Sequence, residues 1–195
     1  MAQDRRIRKS QQTIKINFLE LLKTVSFENI TVQQLADLAD INRGTFYAYY
    51  VDKYDLLDTM ENEKIDELQT FINQQHKVIG ENSPAHMVKS IMTYLIEHID
   101  ANIGFYKTMF SIGKASMLQE KLHMLIQNHL STYKSKDNKI GDMPFDYFMS
   151  YVSGAGIALL KHWVQDEKRI KKEDFIHHFY NIVTEGTIGV VKKSV

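Results

Sequence analysis

The sequence contains no cysteine, which excludes disulfides, thiolate catalysis and redox sensing through cysteine. Only two prolines interrupt the 195 residues, and no apolar run approaches the ~20 residues that a membrane-spanning helix needs. The sequence also has no excess of charge, because 24 basic residues balance 24 acidic ones. A nonspecific coat for nucleic acid would be strongly basic, so any binding of DNA must depend on local charge.

Motifs for catalysis and metal binding are equally scarce. The eight histidines show no HExxH spacing or i, i+4 pairing, and no glycine-rich phosphate loop, nucleophile elbow or close carboxylate pair in a plausible cleft stands out. We therefore predict no catalytic residue, no metal site and no cofactor. The basic N-terminus leads into the amphipathic segment TIKINFLELL instead of the apolar core of a signal peptide, so we expect a soluble, cytoplasmic protein.

Helical periodicity, in contrast, runs through most of the sequence. Apolar residues recur at a spacing of 3.6 from residue 14 onward, which predicts an all-α fold. The break GENSP at residues 80–84 should end a long helix from about Lys53 to Val78, with Ser83 capping the next helix and Pro84 in its first position. We predict a short segment over 104–111, further helices over about 115–133, 143–166 and 172–191, and a polar loop at KSKDNKIGD.

The most specific stretch runs from Thr31 to Lys53, TVQQLADLADINRGTFYAYYVDK. Thr31 and Gln34 have the spacing of a capping box, which starts a helix at residue 32. Asn42 is a good N-cap for a second short helix over about 43–49. Two short helices joined by a tight turn are typical of a helix-turn-helix that reads the major groove of DNA, although such a subdomain can also serve protein contact alone.

The two faces of the second helix differ in chemistry. Phe46 and Tyr50, four residues apart, should point inward and hold this helix against the others. The outward face offers a guanidinium, an amide, a hydroxyl with a methyl group, and two phenols, beside a glycine that permits close approach. These groups pair with base edges and phosphates. The predicted DNA-binding residues are Thr31, Asn42, Arg43, Gly44, Thr45, Tyr47, Tyr49 and Lys53.

The segment INRGTFYAYYVDKYDLL resembles the DNA-binding signature of the TetR/AcrR family of transcriptional regulators, and the resemblance covers residues 5–70. The positions that match are Gly44, Thr45, Phe46, Tyr47 and Lys53. The resemblance implies that Tyr47 and Lys53 hold phosphates and that Thr31 caps the second helix near the DNA backbone. It also implies a three-helix N-terminal DNA-binding domain followed by a helical domain for ligand binding and dimerisation.

The sequence departs from the family pattern at three positions. Asp40 stands where the turn usually has glycine, Tyr49 where histidine is common, and Tyr54 where glutamate is common. Aspartate can adopt the left-handed conformation of such a turn, so we expect the turn to form. A basic cluster at Arg5, Arg6, Arg8 and Lys9 is either a solvated tail or an arm or first helical turn that reaches phosphates or the adjacent minor groove.

The C-terminal half suggests a dimer. GFYKTMFSIGK and YVSGAGIALLKHWVQD resemble one branch of the same family, in which the last two helices form a four-helix bundle with their copies in a second subunit. The small residues 153–156 would permit close approach of helices, although packing within one chain explains them too. The predicted dimer-interface residues are Gly154, Gly156, Trp163 and Phe179.

The middle of the chain is rich in aromatic residues and methionine, which suits either an ordinary core or an irregular apolar pocket. In the family this region surrounds an inducer. The predicted lining residues are Tyr94, Phe105, Met109, Met117, Phe148 and Tyr151. No arginine lies between Arg43 and Arg169, which disfavours a strongly anionic ligand and favours a small hydrophobic effector.

Together these features predict a DNA-binding domain at 1–52 and a regulatory and dimerisation domain at 53–195. The predicted function is that of a homodimeric repressor of an inverted-repeat operator on double-stranded DNA, relieved by a small hydrophobic effector. The main alternative is the same fold controlled by a protein partner, which predicts an exposed apolar patch on the C-terminal body. A small-molecule enzyme without a role on DNA is the weaker alternative.

Overall fold

The computed structural model describes residues 2–77 and 84–192, and its architecture is all-α as predicted. The predicted cap Ser83 and the break at 80–83 lie outside the described residues. The segment predicted at 104–111 is a regular helix. The α-helices are α1 (Ala2–Leu21), α2 (Val32–Leu38), α3 (Arg43–Tyr47), α4 (Lys53–Lys77), α5 (Pro84–Ala101), α6 (Ile103–Ser111), α7 (Leu118–Ser131), α8 (Phe145–Gln165) and α9 (Lys172–Lys192).

Short 3-10 helices at Phe27–Asn29 and Gly113–Ala115 precede α2 and α7, and a small hairpin precedes α8. The hairpin pairs β1 (Lys139–Ile140) with β2 (Met143–Pro144) in antiparallel register. Gly141, with a φ of +56°, makes its turn, because glycine adopts this backbone conformation without steric cost. The predicted polar loop is therefore partly ordered as a hairpin.

Contacts between backbone positions divide the chain into two compact units. The first contains the residues up to Ile65 together with Lys107–Lys121, and the second contains Asp66–Tyr106 and the residues from Leu122 onward. The boundary between residues 52 and 53 that the sequence predicts is a boundary between functions, DNA binding before it and regulation after it. That functional boundary stays a prediction.

The core of the first unit is formed by the faces of α1, α2 and α3 that periodicity predicts to be apolar. Fully buried side chains come from all three helices, and they include Ile14, Phe18, Leu35, Ala36 and Phe46. The ring of Phe18 meets that of Phe27 edge to face, with centroids 6.2 Å apart. Burial of this kind contributes about 1.5–3 kcal/mol for each large apolar side chain, so it holds these short helices in place.

A buried carboxylate joins α4 to the start of α7 within the first unit. Glu61 is 1% exposed, and its Oε1 accepts hydrogen bonds from the Ser116 hydroxyl at 2.6 Å and the Met117 amide at 3.2 Å. The ammonium of Lys121 lies 3.1 Å from the other Glu61 oxygen and 2.6 Å from Asp58 Oδ1. Each polar group therefore has a partner of complementary charge or hydrogen-bonding capacity.

In the second unit α5 packs against α9, and the connection from α8 to α9 is held by one aromatic cluster. Trp163 stacks on Phe175 with ring centroids 4.6 Å apart, and its indole N–H donates to the carbonyl oxygen of Ile170 at 2.9 Å. The guanidinium carbon of Arg169 lies over the indole, 5.0 Å from the ring centroid. Its Nη2 forms an ion pair with Asp100 Oδ1 at 3.0 Å. These contacts hold the start of α9 beside the end of α5.

Candidate nucleic-acid interface

The start of α2 has the capping box that the sequence predicts. Thr31 Oγ1 accepts from the amide of Gln34 at 3.2 Å, and the Gln34 side-chain oxygen accepts from the amide of Thr31 at 2.8 Å. This reciprocal pair satisfies two donors that would otherwise be unpaired at the start of the helix. Thr31 itself is exposed, so its hydroxyl lies at the surface of the unit.

The turn between α2 and α3 forms through Asp40. Its φ is +52°, the left-handed conformation expected from its place in the sequence, and the amide of Ile41 then donates to the carbonyl of Ala36 at 3.0 Å. Asn42 occupies the N-cap position of α3 as predicted, but its side chain makes no capping hydrogen bond. Its backbone carbonyl oxygen accepts from the Thr45 amide at 2.8 Å, and its side chain is exposed.

The two faces of α3 differ as predicted. Phe46 is completely buried and Tyr50 nearly so, with their rings 5.6 Å apart. Asn42, Arg43 and Gly44 are exposed on the other side. An added Cβ at Gly44 would meet nothing within 4 Å, so the backbone is open to a large partner.

Arg43 and Tyr47 form a pair along the exposed side of α3. Arg43 Nη2 donates to the Tyr47 hydroxyl at 3.3 Å, and the guanidinium carbon lies 5.8 Å from the centre of the ring. Tyr47 is about half exposed. The pair restricts the long arginine side chain while leaving most of its donors for another partner.

An open cleft of about 740 Å³ lies along the same side of the first unit. It brings together three of the predicted DNA-binding residues, Asn42, Thr45 and Tyr49. Ile7 and Ser10 of α1 complete the wall, and sequence reasoning did not single them out. Because they lie far from the recognition segment along the chain, only the folding of α1 onto α2 and α3 places them there.

Lys53 has a role that the resemblance does not imply. Its Nζ donates to the backbone carbonyl oxygens of Phe27, Glu28 and Ile30, at 2.8, 2.7 and 2.9 Å. A lysine ammonium has three protons, so these bonds use all of them. In this structure Lys53 therefore holds the turn before α2 in place, and the phosphate contact that the resemblance implies stays a prediction.

The N-terminal basic cluster is part of α1, which begins at Ala2. Arg8 and Lys9 are exposed on this helix, whereas the side chains of Arg5 and Arg6 lie outside the described part of the chain. The backbone of these residues is helical, and their contact with DNA stays a prediction.

The predicted pocket residues are divided between the two units, with Met109 and Met117 in the first and the other four in the second. Phe105 and Met109 are buried, whereas Met117 and Tyr151 are more than half exposed. Tyr94 and Phe148 are partly exposed. Tyr106, which is not among the predicted lining residues, is fully buried, and its ring centroid lies 5.9 Å from that of His98. The pocket stays a prediction.

The four predicted dimer-interface residues occupy different environments. Gly154 is exposed on α8, and Gly156 lies beside the ring of Phe179, which a Cβ on the glycine would meet at 3.5 Å. Trp163 and Phe179 are almost completely buried within their own subunit. Their packing therefore supports α8 and α9 from inside, and Gly154 is the member of the set that a second subunit could reach directly.

No helix of the described residues is long and apolar enough to cross a bilayer. Among the same residues no group of three or more histidine, aspartate or glutamate side chains is arranged to hold a metal ion. The chemistry available at the exposed side of α3 is hydrogen bonding and charge, which is the chemistry of nucleic-acid recognition.

Comparisons with known proteins agree with this assignment. Residues 19–60 match the family described as "Bacterial regulatory proteins, tetR family", and residues 87–185 match the "Transcriptional regulator C-terminal region". A curated relative from Lactococcus lactis, the "HTH-type dhaKLM operon transcriptional activator DhaS", is 27% identical over 105 residues, which are 54% of this chain and 51% of that protein. The chain thus spans about half the length of the curated relative it matches.

Solved structures share the fold over nearly the whole chain. A TetR transcriptional regulator from Streptococcus agalactiae is 21% identical, covers 94% of this chain and 98% of its own, and has a TM-score of 0.67. A putative TetR-family regulator from Syntrophomonas wolfei is 18% identical, covers 94% of this chain and 96% of its own, and has a TM-score of 0.72. The first match contains the helix-turn-helix and the second alone covers half of the whole chain, so this chain belongs to the TetR family of DNA-binding transcriptional regulators.

Proposed function

We propose that this regulator binds an inverted-repeat operator as a homodimer and represses it, with α3 as the helix that reads the major groove. The observation that carries the proposal is the division of α3 into a buried face with Phe46 and an exposed face with Asn42, Arg43 and Tyr47. A short helix that buries one apolar side chain and exposes hydrogen-bonding groups on the other side suits insertion into a groove.

The predicted DNA-binding side chains in and next to α3 each have a proposed role. The fork of Arg43 matches the two acceptors of guanine, and the amide of Asn42 matches the donor and acceptor of adenine. Thr45 offers a methyl group to thymine and a hydroxyl to either kind of base. The hydroxyls of Tyr47 and Tyr49 would bind phosphates and fix the register of the helix on the duplex.

A stripe on α8 is the proposed contact between subunits. Tyr147, Tyr151, Gly154 and Ala158 recur at the spacing of one helix face, and all four are exposed, the two tyrosines to 74% and 65%. Large residues at one end of the stripe and small ones at the other suit a two-fold contact, in which the tyrosines of one copy cover the small residues of the second. Exposed apolar residues of α9, Ile182 and Val183, would extend the buried area.

Two copies are needed because the two half-sites of such an operator are separated by about one helical turn, roughly 34–36 Å. An effector that binds better to subunits whose reading helices are mis-spaced would lower operator affinity by population shift. We propose a small hydrophobic effector, and α4 as the element that transmits the change, because it runs from the end of the helix-turn-helix to Lys77.

Control through a protein partner is the second candidate. The hairpin and the start of α8 expose Met143 and Tyr147 beside Pro144, around an apolar hollow of about 540 Å³. The relative from Lactococcus lactis is described as a transcriptional activator, so activation is the alternative to repression for this chain as well. Expression of a reporter behind the bound operator, with and without the protein, would separate the two directions.

Selection of bound sequences from a random DNA library tests the proposal directly. The expected product is an inverted repeat, and Arg43→Ala should weaken binding by about 1–3 kcal/mol and relax the preference at one base position in each half-site. Lys136→Ala, which removes one charge from the exposed loop of the second unit, is the control and should bind as the wild type does. Recovery of no repeated sequence would contradict the proposal.

The effector is tested with two uncharged apolar probes, indole and n-decanol. A probe that binds the regulatory domain should raise the midpoint of thermal unfolding of the protein, and it should lower operator affinity in the same concentration range. If neither probe changes either quantity, the protein-partner candidate takes the lead. Met143→Ser should then abolish regulation of a reporter in cells while leaving operator affinity in vitro unchanged.

A further inference from the structure

Lys53 occupies the first position of α4, directly after the helix-turn-helix. Its three hydrogen bonds go to carbonyl oxygens of Phe27, Glu28 and Ile30, all in or next to the 3-10 helix that precedes α2. The same nitrogen lies 4.9 Å from the ring of Phe27 and 5.6 Å from that of Tyr54. Carbonyl dipoles and two aromatic rings thus surround the charge of this lysine.

The position of these bonds along the chain gives them a geometric consequence. The carbonyl groups belong to the residues just before Thr31, where α2 is capped, and Lys53 follows α3 by one short loop. The bonds therefore join the two ends of the segment that contains both helices of the helix-turn-helix. Closing the segment at its base restricts how far α3 can tilt relative to α2.

The end of α4 that carries Lys53 is itself fixed. Asp52 Oδ1 accepts from the amides of Tyr54 and Asp55, at 2.8 and 2.9 Å, and so caps the helix. The Asp55 side chain in turn accepts from the amide of Val51 at 2.8 Å. Because the helix start is held by these bonds, the lysine can transmit its position to the turn before α2.

We propose that Lys53 is a positioning residue for DNA reading, which sets the orientation of α3 through the backbone of residues 27–30 instead of holding a phosphate. The proposal rests on the DNA interface proposed above. A lysine that moved to a phosphate would have to give up donors that are already bound at 2.7–2.9 Å. A lysine that acts by positioning α3 releases no counterion, so its contribution to operator affinity should be the same at low and at high salt.

Salt dependence separates a positioning lysine from a phosphate-binding lysine. Each phosphate contact adds about 0.9 to the slope of log affinity against log salt, because it releases a condensed counterion. The experiment measures this slope for the wild type, Lys53→Met and Lys53→Arg on the operator selected with the wild type, at a temperature where circular dichroism shows each variant to be folded. Lys23→Met removes an exposed lysine of the same unit, paired only with Glu20 in the described contacts, and controls for the loss of one charge.

We expect Lys53→Met to bind about tenfold more weakly or worse, since charge-assisted bonds are lost, but with the slope of the wild type. Lys53→Arg should also bind weakly, because its planar donors cannot converge on three carbonyls from one nitrogen. Hydrogen exchange at the amides of Gly44 to Tyr47 should become faster in both variants. If Lys53→Met fails to fold, the affinity and slope of Lys53→Arg decide the matter alone.

Two results would overturn the proposal. A slope lowered by about 0.9 in Lys53→Met, with wild-type affinity and slope in Lys53→Arg, would assign a phosphate contact. Unchanged operator affinity in folded Lys53→Met or Lys53→Arg would leave the residue a purely structural role. Failure of the wild type to select any repeated DNA sequence would contradict the proposed function itself, and it would be seen before the variants are compared.

Discussion

Among single residues, Asp40 combines a favourable backbone role with an unfavourable charge. It adopts the left-handed conformation that the turn between α2 and α3 requires, and it lines the cleft beside Asn42 and Thr45. A carboxylate at this place repels the phosphates that the neighbouring side chains are proposed to approach. The backbone requirement and the charge can be separated, because asparagine also tolerates this conformation.

Asp40→Asn should therefore increase affinity for DNA of any sequence, by about 1 kcal/mol or less and most clearly at low salt. Stability should stay near that of the wild type, whereas Asp40→Ala should lose about 1–2 kcal/mol through the positive φ. Fluorescence anisotropy and urea unfolding measure the two quantities. Asp137→Asn, the same change in the exposed loop before the hairpin, is the control, and an equal gain in that variant would contradict a local effect.

Tyr50 is the residue whose titration should affect stability. It is almost completely buried, its hydroxyl has no partner among the described residues, and burial, aided by Glu63, Asp55 and Tyr49, raises its pKa to about 12. In the unfolded chain a tyrosine ionises near pH 10, so between about pH 10 and 12 the unfolded state loses a proton that the folded state keeps. The stabilisation present below pH 10 should therefore decline across this range.

Tyr50→Phe tests this point. The free energy of unfolding of the variant should fall less steeply between pH 10 and 12 than that of the wild type. At pH 7 the variant should be as stable or more stable, because it removes a buried hydroxyl that lacks a partner in the described structure. Urea unfolding at several pH values measures both effects, with Tyr54→Phe as the exposed control. Identical slopes in wild type and Tyr50→Phe would show that Tyr50 does not titrate as proposed.

At the scale of elements, the start of α7 depends on a carboxylate from α4. Ser116 Oγ accepts from the amide of Leu118 at 3.2 Å while it donates to Glu61, and Lys121 neutralises the charge one turn later. Glu61 is buried whereas Asp58, the second partner of Lys121, is largely exposed. Of the two ion pairs of Lys121, the one with Glu61 should therefore contribute more to the stability of the first unit.

Lys121→Met should destabilise the protein by about 3–5 kcal/mol, because it leaves the Glu61 carboxylate buried without a cation. Adding Glu61→Gln to that variant should recover part of the loss, since the amide oxygen can still accept from Ser116. Chemical unfolding of the single and double variants completes the cycle. A loss below about 1 kcal/mol in Lys121→Met would show that water or another group compensates the charge.

At the scale of the whole molecule, the exposed stripe of α8 determines the proposed assembly. Gly154 lies on this stripe, and an added Cβ there meets nothing within 4 Å in its own subunit. Gly156, two residues further on, faces the ring of Phe179 in its own subunit. The two glycines thus allow contact between subunits to be distinguished from packing within one subunit.

Gly154→Leu should give monomers, because its side chain would occupy the space of a close helix contact between copies. The folded subunit should not lose stability and should gain up to about 1 kcal/mol of helix propensity. Gly156→Leu should instead lower the midpoint of thermal unfolding through collision with Phe179. Light scattering at micromolar concentration measures the assembly, and a monomeric wild type, or a dimeric Gly154→Leu, would contradict the proposed interface.

Local sequence was sufficient for the helices and for the recognition segment. The capping box at Thr31 and the buried Phe46 depend on residues within a few positions of one another, so spacing alone predicts them. The left-handed Asp40 was expected from the resemblance to the family, which usually has glycine in this turn. The hairpin before α8 was missed because two-residue strands leave almost no period to detect. The hydrogen-bonding groups on the exposed face of α3 could also be predicted from the sequence, since a short amphipathic helix has only one exposed face.

Tertiary structure decided the partners of side chains that are distant in the sequence. Only the fold brings Lys53 to the carbonyls of residues 27–30 and Glu61 to Ser116, because those partners lie more than twenty and more than fifty residues away. It likewise buries Trp163 within one subunit and leaves Tyr147 and Tyr151 exposed, although all three are aromatic residues of α8. Periodicity identifies a helix face, but what covers that face depends on the packing of other elements.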